Sequence, residues 1–164
     1  MVEKYSEKIF ALAISLLKNK EDAEEITQNT FLKAYQSLDK FREDAKFSSF
    51  LYRICYNESI NQIRSRKMTL DIDNVAIKDT QINDGFFHIQ KKEQKKYLTL
   101  ALDKLNPEYR MVLTLFYLEE QSLNEIIEIT AWSLSNTKVK LHRARLALAK
   151  EINKILKNEA RNLY

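Results

Sequence analysis

The chain is almost without the two residues that punctuate a backbone. Its 164 residues include one glycine, Gly85, and one proline, Pro107. Architectures rich in loops and β turns draw heavily on both, so their scarcity predicts long helices. Glycine-rich phosphate cradles need several glycines at fixed offsets, and these are excluded too. Cys55 is the only cysteine, which rules out an intrachain disulfide and a cysteine-built zinc site. Its apolar and aromatic neighbours make it a core residue rather than a redox thiol. His88 and His142 lie far apart without ligand-like company, so neither a metal nor another cofactor is expected. No apolar run approaches the roughly twenty residues of a membrane span. Ile9 to Leu17 is apolar like the centre of a signal peptide. Glu3 and Glu7 precede it, however, and an acidic run follows without a small-residue cleavage site. Export is therefore rejected and the cytoplasm is the expected compartment.

What is present suits an all-α protein that meets a polyanion. Hydrophobic residues make up 45% of the chain, enough for a packed core. The net charge of +4 and a pI of about 9.0 fit a nucleic-acid partner without demanding one. The chain is organised around Ser122 to Ile155. Leu123, Ile126, Ile127 and Thr130 fall at helical spacing, Ala131–Trp132–Ser133 is a tight break, and a long helix follows. Leu141, Ala144, Leu148, Ile152 and Ile155 form its inward stripe. Ser133 stands where an N-cap would accept a bond from the first free amides. The other faces carry Ser135, Asn136, Lys138, Val139, Lys140, His142, Arg143 and Arg145, and no acid occurs between Ile129 and Lys150. A short helix, a three-residue turn and a basic second helix predict a helix-turn-helix, which sets its second helix in the DNA major groove. The plainer alternative is a solvated basic face over an ordinary core.

Four further helices are expected. Residues 3 to 18 place Tyr5, Ile9, Leu12, Ala13, Leu16 and Leu17 inward. Residues 22 to 38 carry the stripe Ala23, Ile26, Thr30 and Ala34, with Phe31, Tyr35 and Leu38 beside it. Glu21, Asp22, Glu24 and Glu25 crowd the first turn of that helix, where its dipole favours them. Glu24, Gln28 and Leu32 share its outward face, which equally suits docking on a protein. A charged loop, 39 to 46, holds Phe41 and leads into a helix over 47 to 67. Ile54, Ile60 and Ile63 mark part of its buried stripe. Phe47, Phe50, Tyr52 and Tyr56 exceed what one stripe needs, and they interleave with Arg53, Asn57, Asn61, Gln62 and Arg64. Rings among cations and amides suit unpaired bases, which stack while cations follow the phosphates. Core packing explains some of these rings equally well, Phe50 above all. From Met68 to Ile89 the period is lost, and Asp71, Asp73, Asp79 and Asp84 accompany the single glycine. This reads as a linker, which divides the chain into domains at 1–67 and 90–164. A helix over 90 to 105 follows, and Pro107 then opens a helix carrying Met111, Val112, Leu115, Phe116 and Leu118.

These segments, in this order, resemble bacterial sigma factors of the sigma-70 family, in the small extracytoplasmic-function (ECF) group. EDAEEITQNTFLKAY is similar to the family's second conserved region. FSSFLYRICYNESINQIRSRK is similar to its (S/T)F-x-x-WL-x-RI-x-x-N stretch. LNPEYRMVLTLFYLEEQSLNEIIEIT-AWS-LSNTKVKLHRAR resembles the fourth region, with its signature close to VKxRLHRAR. Phe50 stands where Trp is usual, Asn106 where Leu or Met is common, and Ile127 where Ala is usual. Ala131 replaces a usual Gly, and it would resist a left-handed backbone.

The resemblance implies a transcription initiation factor for RNA polymerase, with no catalytic residue of its own. Asp22, Glu25, Gln28, Asn29 and Leu32 would meet the β′ clamp helices of the polymerase core, and the second domain would meet the β flap. Phe41, Arg42, Lys46, Phe47, Arg53, Tyr56, Asn57, Asn61 and Arg64 would open and read the −10 element of promoter DNA. The helix from Leu134 would read the −35 element as duplex. An anti-sigma partner is left open. Ile152, Ile155 and Leu156 sustain no heptad seam, so a monomer is expected. A stand-alone helix-turn-helix regulator would leave the first domain's faces unexplained. A nuclease would need carboxylates beside a basic groove to hold Mg²⁺.

Overall fold

A computed structural model describes residues 2–42, 44–70 and 92–162, and the region 71–91, which takes in most of the expected linker, lies outside them. The described residues form seven α-helices and no strand: α1 (Val2–Leu17), α2 (Lys20–Gln36), α3 (Phe47–Leu70), α4 (Lys92–Asp103), α5 (Pro107–Leu113), α6 (Leu123–Thr130) and α7 (Leu134–Asn162). The all-α expectation holds. α3 runs three residues beyond its expected end at 67, because nothing between Ser65 and Leu70 stops a helix.

The scarcity of glycine shows in the turns. Lys18, Glu120 and Ala131 all take positive φ, at 53°, 50° and 59°. Each accepts a crowding cost of about 1 kcal/mol that glycine would avoid. Caps are met by side chains instead. Asn19 accepts from the Asp22 amide at 3.0 Å. Asn106 accepts from the Tyr109 amide at 2.9 Å, with Pro107 in the first turn as expected. Ser122 and Glu125 form a reciprocal capping box on α6.

Helices α1, α2 and α3 pack as a three-helix unit around Ile9, Leu12, Ala13, Leu16, Ala23, Ile26, Leu51, Tyr52 and Cys55, all buried. The Cys55 thiol, pushed up to about 12 by burial, is inert core as expected. Helices α4 to α7 form the second unit around Leu105, Met111, Val112, Leu115, Ile126, Ile129, Leu141 and Ala144. Tethered, separate units were expected, but the two are packed together. α3 lies on α6 and α1 on α5, and their buried residues make one continuous cluster.

Three details of the expected stripes are corrected. Tyr35 and Leu38 do not join the α2 stripe, and Tyr35 is 81% exposed. Leu118 is also exposed. The helix from Pro107 was expected to continue as α; it passes into a π turn over Thr114–Leu118, which rotates Tyr117 and Leu118 outward.

Candidate nucleic-acid interface

Three faces carry the residues singled out in the sequence. The first is α7. Ser133 caps it, accepting from the Asn136 amide at 3.1 Å, and Thr137 is buried beneath, its hydroxyl donating to the Ser133 carbonyl at 2.9 Å. This seats α7 against α6. Ser135, Asn136, Lys138, Val139, His142, Arg143 and Arg145 stand exposed. Lys140 does not. Its side chain is only 20% exposed, pairs with Glu108 and lies over the Trp132 ring at 4.8 Å from the centroid. Leu141 fixes the register of the inward stripe, and Lys140 beside it falls at the edge of that stripe rather than opposite. Arg145 is exposed yet held: its Nε donates to the Tyr117 hydroxyl at 2.5 Å, and its guanidinium lies 5.4 Å from the Phe116 ring centroid.

The second face belongs to α3 and the loop before it. Phe41 meets Phe47 edge-on at 5.5 Å and Phe50 at 5.4 Å. Tyr5 closes on Phe47 at 5.7 Å. The rings therefore form one half-buried cluster, not free stacking platforms. Beside it lies a groove of about 330 Å³ lined by Lys40, Phe41, Arg42, Phe50, Arg53, Asn57 and others, including Glu128 from α6. Arg42 donates twice to Asp44, at 3.1 and 2.7 Å. That bond raises the guanidinium further and lowers the Asp44 carboxyl. Lys46, Arg53, Asn57, Asn61 and Arg64 are exposed. Tyr56 is corrected: it is 8% exposed, with its ring edge-on to Trp132 at 6.3 Å.

The third face is the outside of α2. Glu24, Glu25 and Gln28 are exposed, with Asn29 half-buried. Leu32 is 56% exposed, and Tyr35 and Leu38 extend it. Asp22 is corrected: it points inward, where both oxygens lie 2.6 Å from Arg66 of α3 and Gln62 donates to it at 3.2 Å.

Sequence reasoning missed the acids of the second unit. Glu119 accepts from Lys8 at 2.9 Å and from the Tyr52 hydroxyl at 2.5 Å. Glu125 pairs with Lys46 at 2.7 Å. It also missed Arg110, 3% exposed, whose guanidinium nitrogens have no hydrogen-bond partner. Burial lowers that group to about 10. No periodicity marks a buried cation; its place beside Met111 and Val112 was the available signal.

Two family profiles match the chain: Sigma-70 region 2 over residues 1–69 and Sigma-70, region 4 over residues 95–148. The ECF RNA polymerase sigma factor SigW of Bacillus subtilis is 33% identical over 162 residues, covering 93% of this chain and 87% of that protein. The chain belongs to the sigma-70 family. Within it the chain is an ECF factor, and its function is promoter-directed initiation of transcription. RNA polymerase sigma factor YlaC of the same bacterium is 32% identical, over 85% of this chain and 82% of that one. Among solved structures, sigma factor RpoE of Bartonella quintana, in complex with the anti-sigma factor NepR, matches with a TM-score of 0.76. It is 25% identical and covers 93% of this sigma factor and 94% of RpoE. CnrH, in complex with the cytosolic domain of CnrY, shares the fold with a TM-score of 0.63. Among the described residues, no helix is long and apolar enough to cross a membrane.

Proposed function

We propose that this sigma factor binds the polymerase core through the α2 face, reads the −10 element with α3 and its preceding loop, and reads the −35 element with α7. The observation that supports this most is the two regions in one chain, in this order, each with its own exposed polar face. On α2, Glu25 and Gln28 beside Leu32, Tyr35 and Leu38 make a polar rim around an apolar centre, the usual build of a protein interface. The β′ clamp helices are the partner assigned to it. The second unit takes the β flap and the −35 duplex. Arg53, Asn57, Asn61 and Arg64 follow the opened strand. The units divide near 67 and 90, and the linker between them threads toward the RNA exit path. Polymerase does the chemistry, so the factor is not an enzyme and works in the cytoplasm. An anti-sigma factor is a natural further partner, as NepR is for RpoE.

The test is transcription from a promoter selected with this factor. Alone, the chain should bind duplex promoter weakly, because one small reading module gives modest affinity and the −10 reader needs an unstacked strand. With core polymerase both contacts become intramolecular, and binding should turn specific and productive. Tight, specific binding by an isolated dimer, unchanged by added core, would instead identify a stand-alone regulator.

A further inference from the structure

The face assigned to the −10 strand is covered by the chain's own second unit. α6 lies on α3, and Trp132, at the end of α6, closes edge-on over Tyr56. Charge reinforces the contact. Glu119 takes Lys8 and the Tyr52 hydroxyl, Glu125 takes Lys46, and Glu128 stands in the groove, acting on Arg42. Three carboxylates thus occupy the neighbourhood of cations and rings that suit a DNA strand. Lys140, on the other reading helix, is drawn into the same junction by Glu108 and Trp132.

We propose that this packing is a self-masked state, in which α6 and Trp132 compete with single-stranded DNA for the α3 face. Strand phosphates and the α6 carboxylates cannot share the site, since like charges at this range repel strongly in a partly buried setting. The exposed apolar set on α2 lies outside the contact. Polymerase can therefore dock on the masked form, and separation of the units follows docking. The inference rests on the assignment of α3 to the strand, made above. Masking lowers apparent strand affinity in proportion to the closed fraction. It is also sensitive to salt, because exposed parts of the ion pairs are screened.

The test uses the full chain, its only tryptophan as probe, and a short fluorescein-labelled single strand of random sequence. Glu119→Gln and the exposed Glu128→Gln remove charge from the contact without touching the assigned DNA or polymerase residues. Both should bind the strand at least about threefold tighter than wild type, with unchanged helicity. The added strand should also make Trp132 of the wild type more accessible to acrylamide. Arg53→Ala should abolish the gain in affinity, which distinguishes α3 from α7 as the site. Equal affinities in all three proteins, with Trp132 accessibility unmoved while anisotropy reports binding, would overturn the proposal. No anisotropy change in any form, with Trp132 more accessible in the variants, would instead overturn the assignment of α3 and remove the basis of this inference.

Discussion

Ala131 and Asp22 show how far single residues can be read. The C-cap of α6 needs a left-handed residue, and Ala131 takes φ 59° and ψ 22° while its amide donates to the Ile127 carbonyl at 2.8 Å. The Cβ is crowded there, so Ala131→Gly should raise stability by about 1 kcal/mol, offset in part by the entropy of glycine in the unfolded chain. A denaturant midpoint that falls, with unchanged slope, would contradict this. The need at position 131 was legible because the turn itself was legible. Asp22 was not. Its neighbours Glu21, Glu24 and Glu25 have the same charge, and only the 44-residue separation to Arg66 distinguishes it. Removing a buried carboxylate's charge leaves Arg66 and Gln62 without their acceptor. Asp22→Ala should therefore cost on the order of 1–3 kcal/mol in stability. A variant as stable as wild type that loses only its hold on core polymerase would restore Asp22 to the docking face.

At the scale of elements, periodicity read the buried stripes of α1 and α7 well, because each has one clear apolar side. It read α3 poorly. The most buried positions there are Leu51, Tyr52, Cys55, Tyr56 and Ser59, while Ile54, Ile60 and Ile63 are only partly covered. A helix packed on α1, α2 and α6 has no single inward face. The π turn after α5 was also invisible, since one extra residue in a turn leaves no mark on composition. α6 is short, and its start depends on Ser122 and Glu125. Burial pushes the Glu125 carboxyl up, but the bonds from Lys46 and Ser122 outweigh it, and the group lies below its ordinary value of 4.5. A lowered folded value contributes stability above the unfolded value and loses it as pH falls through the folded one. The stability difference between wild type and Glu125→Gln should accordingly be largest above about pH 4.5 and shrink below it. A difference that stays constant across that range would mean the carboxylate charge contributes nothing to the cap.

For the whole molecule, the order of helices and the two regions were legible, but the relation between them was not. A long aperiodic stretch rich in aspartate implies a tether, and tethered units unfold independently. The packed structure implies otherwise. Tyr52 and Tyr56 are buried at the junction, Ser49 donates to Gln121 at 3.3 Å with both residues buried, and the hydrophobic cluster runs without a break from α1 to α7. Units that share so much apolar surface stabilise each other, because separating them re-exposes it to water at roughly 25 cal/mol per Å². Wild type should then unfold as one cooperative transition at low salt, with Trp132 emission and helicity changing together. Tyr56→Ala removes the ring that meets Trp132 and weakens both the first unit's core and the junction. It should pull the transitions apart, the first unit melting before Trp132 reports change in the second. Calorimetry distinguishes the two organisations directly. Two separated transitions already present in wild type would show that the junction contributes little and that the units behave as the sequence alone suggested.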